Sequence, residues 1–94
     1  MEKGGHVYIL TNEARTVLYT GVTSNLPRRL AQHKDGSGST FTRRYRCTIL
    51  VYTAHFSSIM EAIACEKRIK SGSRADKIRL IESENPAWSE IEVY

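Results

Sequence analysis

A chain of 94 residues with 40% hydrophobic and 26% charged residues has an ordinary globular composition, and its length suits one domain over residues 1–94. No apolar run approaches the roughly 20 residues that span a membrane, and the first residues lack the apolar region of a secretory signal. We therefore expect a cytoplasmic protein without membrane association. Cys47 and Cys65 show no metal-binding spacing, so we expect reduced and partly buried thiols.

Two basic blocks carry the net charge of +4. Residues 28–46 and residues 67–79 each hold six lysines and arginines against one aspartate. Such blocks in a small chain favour a polyanionic partner, most simply nucleic acid. A solvated basic surface is the alternative interpretation of the same pattern.

A β-hairpin is predicted at the start of the chain. Residues 6–11 and 17–22 are rich in strand-forming residues, and the polar segment NEART connects them. With the turn centred between residues 13 and 14, Tyr8 lies opposite Tyr19 in the pairing register. The two tyrosines then share one face of the sheet, and aliphatic side chains occupy the other.

A helix is predicted over residues 24–35. Ser24 or Asn25 can cap its start, Pro27 is tolerated in its first turn, and Gly36 ends it. These signals bound the helix at both ends.

Arg29 and His33 are four residues apart on this helix and therefore share a face. The pair is either part of a solvated surface or one side of a phosphate-binding site. After the helix, residues 35–40 (DGSGST) predict a flexible loop. Residues 47–54 predict a third strand, whose continuous apolar character suggests a central or well-covered position.

The helix predicted over residues 58–70 contains two glutamates in different environments. Ser58 and Glu61 match a capping box, and Glu61 faces water. Glu66 falls within the apolar stripe of the helix, where an unpaired carboxylate costs several kcal/mol. It is therefore either paired, for example with Lys70, or a metal ligand. The stripe consists of Ile59, Ala62, Ile63 and Ile69.

A last helix is predicted over residues 74–82. Ser73 and Asp76 match a second capping box, and the Asn85–Pro86 pair ends the helix. Trp88 follows, and we expect it to fold back as a hydrophobic anchor.

Side chains suited to phosphodiester chemistry occur along the chain. A tyrosine oxygen can take a proton from water, an arginine can bind a phosphate with two hydrogen bonds, and a carboxylate can hold Mg²⁺. No P-loop, H-E-x-x-H or G-x-S-x-G motif supports a different chemistry.

Four motifs occur in a fixed order. They are HVY at 6–8, YTG at 19–21, an R-x-x-x-H pair on the first helix and a glutamate on a later helix. This set resembles the GIY-YIG endonuclease superfamily, and the ten residues between the triplets fit its pattern. The segment 66–88 is similar to a small stand-alone bacterial branch related to the nuclease domain of the repair excinuclease. The resemblance covers nearly the whole chain.

The resemblance implies an α+β fold, in which a three-stranded antiparallel β-sheet is flanked by about three helices. It also implies one divalent ion, Mg²⁺ or Mn²⁺. Tyr8 is then the base that acts on the attacking water, and Tyr19 supports the water or the phosphate. Arg29 stabilises the developing phosphate charge, His33 assists proton transfer, and Glu66 binds the metal ion.

The chain departs from the family pattern at three places. His6 replaces the first glycine, Thr20 replaces an isoleucine, and Val22 and Thr23 stand where some members have a lysine. The absence of that lysine removes one group that could tune the pKa of the catalytic tyrosine. Asn85 matches a polar residue found late in some members.

Three functions fit these residues. The resemblance favours a metal-dependent DNA endonuclease of repair or recombination that selects substrate structure rather than sequence. The alternatives are a non-catalytic nucleic-acid-binding module of the same fold and a basic structural or interaction protein. A homodimer or a protein partner could supply substrate selection. The residues expected to contact DNA are Arg28, Lys34, Arg43, Arg44, Arg46, Lys67 and Lys70.

Overall fold

The computed structural model describes residues 4–93, which form a three-stranded antiparallel sheet and four helices. The sheet has the strand order β2–β1–β3, so β1 is central and β3 is an edge strand. This confirms the predicted α+β fold, with one helix more than expected. The strands are β1 (Gly5–Thr11), β2 (Leu18–Thr23) and β3 (Ile49–Phe56), and the helices are α1 (Leu26–Asp35), α2 (Thr40–Tyr45), α3 (Ile59–Ser71) and α4 (Arg74–Glu84).

The register of the β1–β2 hairpin differs from the prediction. Tyr8 lies opposite Gly21, and Tyr19 lies opposite Leu10. The predicted pairing of the two tyrosines with each other was therefore wrong by two residues. A shift of two residues leaves every side chain on its face, because the side-chain period of a strand is two. The tyrosines consequently still share one face of the sheet.

The turn of this hairpin explains the shift. Asn12 organises the connection, since its Oδ1 accepts the N–H groups of Thr16 at 2.8 Å and of Val17 at 3.1 Å. Arg15 adopts a left-handed conformation with φ 59°. The loop therefore closes around Asn12, and its centre moves one residue towards the C-terminus.

Helix α1 begins and ends as its sequence predicted. The side chain of Asn25 accepts the N–H of Arg28, and Pro27 occupies the first turn. Gly36 has φ 88° and its N–H bonds back to the last turn, which ends the helix in a left-handed cap.

Helix α2 was not predicted, since the sequence indicated a flexible loop up to residue 40 and no element between that loop and the strand predicted from residue 47. Ser39 caps this helix by accepting the N–H of Thr42 at 3.1 Å, and Arg46 ends it with φ 55°. Only residues 36–39 remain as a connection between α1 and α2.

The two faces of the sheet have separate cores, and we call them the site face and the opposite face. Successive side chains of β1 alternate between them. Helix α1 covers the site face with Leu26 and Leu30, whereas α3 and α4 cover the opposite face. The site-face core comprises Tyr8, Leu10, Leu26, Cys47 and Leu50, and the opposite-face core includes Val7, Ile9, Val51, Ala62, Cys65 and Ile81.

Strand β3 is well covered, although it lies at the edge of the sheet rather than at its centre. Leu50 and Val51 are buried on opposite sides of it. Beyond α4, the N–H of Ile91 donates to the carbonyl oxygen of Leu50 at 2.8 Å, and Val93 packs on the site-face core. The C-terminal segment therefore lies along the free side of β3.

The caps of α3 and α4 differ. Ser58 accepts the N–H of Met60, one residue earlier than a capping box requires, so the box predicted with Glu61 does not form. Ser73 and Asp76 form the complete box predicted for α4.

The remaining expectations about the fold are met. Asn85 ends α4, and Trp88 packs against the opposite-face core. Cys47 and Cys65 are free thiols, and both are buried. Among residues 4–93, the structure contains no helix that is both long and apolar enough to cross a membrane.

Candidate active site

The centre of the site is a hydrogen bond between two buried side chains. Tyr8 Oη lies 2.9 Å from Nε2 of His33, and the two residues are 0% and 2% exposed. Tyr8 reaches His33 by passing over Gly21, where an added Cβ would lie 2.4 Å from the phenol oxygen. The glycine of YTG therefore provides the space in which the phenol of the first triplet lies.

The other nitrogen of His33 is bound to α2. Nδ1 of His33 lies 2.9 Å from Oγ1 of Thr42, which lies 2.8 Å from Oγ of Ser39. Gly38 passes close to the same ring, because a Cβ there would lie 2.4 Å from Nδ1. Hydrogen bonds thus connect Tyr8, His33, Thr42 and Ser39 in one chain of polar side chains.

Tyr19 lies beside this chain on the same face of the sheet. Its ring centroid is 6.4 Å from that of Tyr8 and 5.6 Å from that of His33. It is half-buried and stacks on Phe41 of α2 at 5.8 Å. The second tyrosine is therefore adjacent to the first without pairing with it in the sheet.

Arg29 brings a positive charge to the site. Its Nη1 donates to Oε1 of Gln32 at 3.2 Å, and both side chains are partly buried. Together with Arg28, they line an open cleft of about 440 Å³ between α1 and α3. The guanidinium is thus placed where an anion entering the cleft can reach it.

Burial and Arg29 change the proton affinities of the central pair. Burial raises the pKa of the Tyr8 phenol above its ordinary value, while the adjacent Arg29 guanidinium opposes that shift. The negative charges of ionised Tyr19 and of Glu66 act in the same direction as burial. Burial also lowers the pKa of His33, and Arg29 lowers it further, so the imidazole is neutral at pH 7.

Glu66 is buried on α3, as its position in the apolar stripe predicted, whereas Glu61 is exposed. Oε2 of Glu66 lies 2.7 Å from Nζ of Lys70, whose side chain is about half exposed. The ion-pair alternative raised by the sequence is therefore realised. The carboxylate is close enough to Tyr8 for its charge to act on the phenol.

Comparison with known proteins places this geometry in a family. Residues 4–79 match the GIY-YIG catalytic domain. The chain belongs to the GIY-YIG family. This confirms the resemblance carried by the two tyrosine triplets, and it makes a nuclease-type family the established context of the site.

Relatives named UPF0213 proteins match this chain over most of their own length. A UPF0213 protein of Staphylococcus haemolyticus is 42% identical over 82% of this chain and 93% of its own. A UPF0213 protein of Natronomonas pharaonis is 44% identical over 84% of this chain and 92% of its own. The solution NMR structure of a UPF0213 protein from Bacillus halodurans is 33% identical, with a TM-score of 0.59 over 90% of this chain and 89% of that one.

GIY-YIG nucleases generally use divalent metals, and Glu66 is the residue of this chain that suits one. Residues 4–93 contain no group of three or more histidine, cysteine, aspartate or glutamate side chains able to hold a metal ion. Mg²⁺, however, keeps several waters and commonly binds one or two carboxylates together with substrate phosphates. A single buried carboxylate such as that of Glu66 fits that mode of binding.

The side chains predicted to contact DNA are all exposed and lie on or next to α1, α2 and α3. Lys34 forms an ion pair with Glu90 at 3.6 Å, and Lys70 pairs with Glu66. Lys34, Arg43 and Arg46 line one shallow cleft of about 450 Å³ beside His33. The full set of side chains predicted to contact DNA is Arg28, Lys34, Arg43, Arg44, Arg46, Lys67 and Lys70.

The sequence did not reveal the role of Thr42, and it indicated Asn85 only as the end of a helix and as a polar residue found in some family members. Thr42 is 1% exposed and binds His33, but the helix that carries it was not predicted. Asn85 donates to the carbonyl oxygens of Val51 at 3.0 Å and Ser89 at 2.9 Å, so it holds the end of α4 to β3. Ser39, a residue type that favours the N-cap position, was an available sequence signal for α2.

Proposed function

We propose that this protein is a metal-dependent DNA endonuclease that hydrolyses phosphodiester bonds. The observation that carries the proposal is the buried hydrogen bond between Tyr8 and His33, next to the guanidinium of Arg29. A buried phenol with its own proton acceptor and a neighbouring cation suits the activation of water beside a phosphate. Membership of the GIY-YIG family supports the reaction class.

His33 gives the phenol a route for its proton. When Nδ1–H of His33 donates to Thr42, Nε2 carries the lone pair and accepts the proton of Tyr8 Oη. Tyr8 can then take a proton from the attacking water as it passes its own to His33. Because burial and Arg29 lower the pKa of His33, the imidazole stays in the accepting form at neutral pH.

Arg29 and Tyr19 act on the phosphate side. Arg29 stabilises the negative charge that develops on the phosphate oxygens, which a guanidinium does best with two parallel hydrogen bonds. Tyr19 supports the water or the phosphate from its position beside Tyr8. Glu66 would hold one Mg²⁺ or Mn²⁺, which when bound supplies positive charge to the phosphate.

DNA binding is proposed to rest on the exposed cations of α1, α2 and α3. Contacts to phosphates fix position and carry no base information, so we expect selection of substrate structure rather than sequence. A homodimer or a protein partner would add selection, and the proposed setting is DNA repair or recombination in the cytoplasm. If about four phosphates are neutralised, log K falls with log salt at a slope of about −3.6.

A second candidate function is a nucleic-acid-binding module of the same fold without catalysis. The ion pair between Glu66 and Lys70 favours it, because the carboxylate already has a cationic partner. The two functions share their binding surface and differ in whether Glu66 accepts a metal ion.

Cleavage assays separate these functions. The purified protein is incubated with plasmid, branched and single-stranded DNA and with RNA, each with Mg²⁺, Mn²⁺ or EDTA. We expect cleavage with either metal and none with EDTA. Salt-dependent binding without cleavage of any substrate under any metal condition would support the binding module and overturn the endonuclease.

A further inference from the structure

A row of aromatic rings extends from the candidate active site across α2. Phe41 stacks on Tyr19 with their ring planes 29° apart, and its centroid lies 4.8 Å from that of Tyr45. The guanidinium carbon of Arg44 lies 5.5 Å from the centroid of the Tyr45 ring. We call these four side chains the aromatic surface.

The outer part of this surface faces solvent. Phe41 and Tyr45 are each 41% exposed, and only one other large hydrophobic side chain in the described part of the chain, Met60, is as open. Helix α2 is held to the fold by Thr42, which is buried against His33. Exposed rings add little packing to α2, so their exposure suits a ligand.

We propose that the aromatic surface stacks against an unpaired base of the strand whose phosphate lies at the candidate active site. The proposal rests on the proposed function and deepens it by naming a strand with unpaired bases as the substrate class. Tyr19 belongs to both the site and the surface, so the base would bind directly beside the phosphate.

The chemistry of the surface fits an unpaired base. Stacking on an aromatic side chain needs a free π-face, which bases inside a duplex do not offer because they stack on one another. Each stacked base strengthens binding by roughly 5- to 150-fold, and an arginine adds attraction to the ring and to the backbone. Arg44 supplies such a cation at the outer end of the row.

Charge argues against the competing occupants. Arg43, Arg44 and Arg46 lie on or next to the helix that carries Phe41 and Tyr45, and all three are exposed. A second copy of this chain placed face to face would oppose the same cations, and like charges repel. A polyanion bearing aromatic bases complements both the cations and the rings.

The experiment compares binding of three labelled probes in EDTA, so that no cleavage occurs. The probes are a single strand, a strand of equal length built from abasic nucleotides, and a duplex. Fluorescence anisotropy is measured for the wild type and for Phe41→Leu, Tyr45→Leu, Phe41→Tyr and Met60→Leu. Phe41→Leu removes the ring but keeps an apolar side chain, Phe41→Tyr keeps a ring, and Met60→Leu is the control at an exposed site on α3.

We expect the wild type to bind the natural strand at least about tenfold more tightly than the abasic strand, in line with one or more stacked bases. Phe41→Leu and Tyr45→Leu should lose most of that preference and keep their abasic-strand affinity, while Phe41→Tyr and Met60→Leu bind as the wild type does. Retained melting temperatures and an unchanged His33 imidazole NMR signal show that α2 remains folded.

Equal wild-type affinity for natural and abasic strands would overturn the proposal, whether or not the protein cuts DNA. A Phe41→Leu protein that loses affinity equally for both strands would do the same, because the effect would then be structural. Concentration-dependent dimerisation that Phe41→Leu abolishes would instead make the surface a contact between two copies. If the protein cleaves no substrate but keeps its preference for strands with bases, the stacking proposal is supported and only the catalytic function is overturned.

Discussion

The buried polar groups on the two sides of the sheet differ in how they are satisfied. On the site face, Tyr8, His33 and Thr42 are buried and bonded to one another through uncharged groups. On the opposite face, the core is apolar, and the helix that covers it, α3, carries the buried carboxylate of Glu66, whose charge is balanced by a lysine at the surface. The proposed route for a proton, from Tyr8 to His33, therefore lies on the site face.

This difference shows how a small sheet combines stability with chemistry. A buried neutral network costs little when each member has a partner, whereas a buried charge needs a counter-ion. Alternation along one central strand provides an apolar core with Val7 and Ile9 and a polar network with Tyr8. Removing groups from each face tests whether catalysis belongs to the site face alone.

The largest expected effect is on Arg29. Arg29→Ala should reduce cleavage by about 10²–10³-fold, because the transition-state charge loses its arginine. Stability should change little, since the side chain is only partly buried. Single-turnover cleavage rates measure the effect, with Arg28→Ala as the matched control that weakens binding only. Equal losses in both variants would show that Arg29 is a DNA-contact residue.

The opposite face is tested with Glu66→Gln, which keeps volume and removes charge. If Glu66 holds the metal ion, cleavage should fall by about two orders of magnitude, because a bound ion supplies several kcal/mol to the transition state. DNA binding and fold should remain. Electron paramagnetic resonance of Mn²⁺ with a non-cleavable phosphorothioate strand should show loss of bound ion independently of activity.

Glu61→Gln is the control for this prediction. Glu61 is exposed on the same helix, so its substitution should leave cleavage and Mn²⁺ binding unchanged. If Glu66→Gln cuts as fast as wild type, the ion pair with Lys70 is a structural contact, and all catalysis lies on the site face.

A smaller effect is expected at Thr42. Thr42→Val keeps the shape and removes the hydroxyl, leaving Nδ1 of His33 without its partner, which costs about 1–3 kcal/mol of stability. The preference for the Nδ1–H tautomer should weaken, and cleavage should fall by about tenfold, a smaller loss than at Arg29. Thr42→Ser should restore both. Nitrogen-15 NMR of the imidazole reports the tautomer, and an unchanged tautomer in Thr42→Val would contradict the proposed role.

The smallest expected effect is on stability against pH. The pKa of His33 is lowered by burial and by Arg29, so below about pH 6.5 the unfolded chain binds a proton that the folded chain does not. The melting temperature should therefore fall as pH decreases from 7 through the folded pKa, and then level off. Asp76, whose pKa is lowered by the N–H and hydroxyl of Ser73, acts only near pH 4 and below.

His33→Gln isolates this effect from the other histidines. The variant should be less stable at pH 7 than wild type, with a flatter dependence of melting temperature on pH between 7 and 5. A slope that is the same in both proteins would show that His33 is not the source of the dependence.

The sequence predicted the elements that carry strong local signals. Asn25, Pro27 and Gly36 bounded α1, and the pair of Ser73 and Asp76 located the start of α4, because each satisfies backbone groups within a few residues. The predicted sharing of a face by Tyr8 and Tyr19 was also correct, since it depends only on the side-chain period of strands.

Features that depend on side-chain contacts were not predicted. The hairpin register depended on how Asn12 binds the loop, which composition does not reveal. Helix α2 is six residues long and gains its place from Thr42 packing against His33, a tertiary contact. For Glu66 the sequence identified a buried carboxylate but left its partner open between Lys70 and a metal ion.

A backbone hydrogen bond near the end of the described residues covers part of the edge strand β3. An edge strand with free N–H and carbonyl groups is a template for pairing with another molecule. Here the N–H of Ile91 occupies the Leu50 carbonyl, and Ile91 and Val93 pack over the neighbouring side chains. We therefore expect a chain shortened before Ile91 to expose this edge and apolar surface and to self-associate more readily, although the segment takes no part in the proposed chemistry.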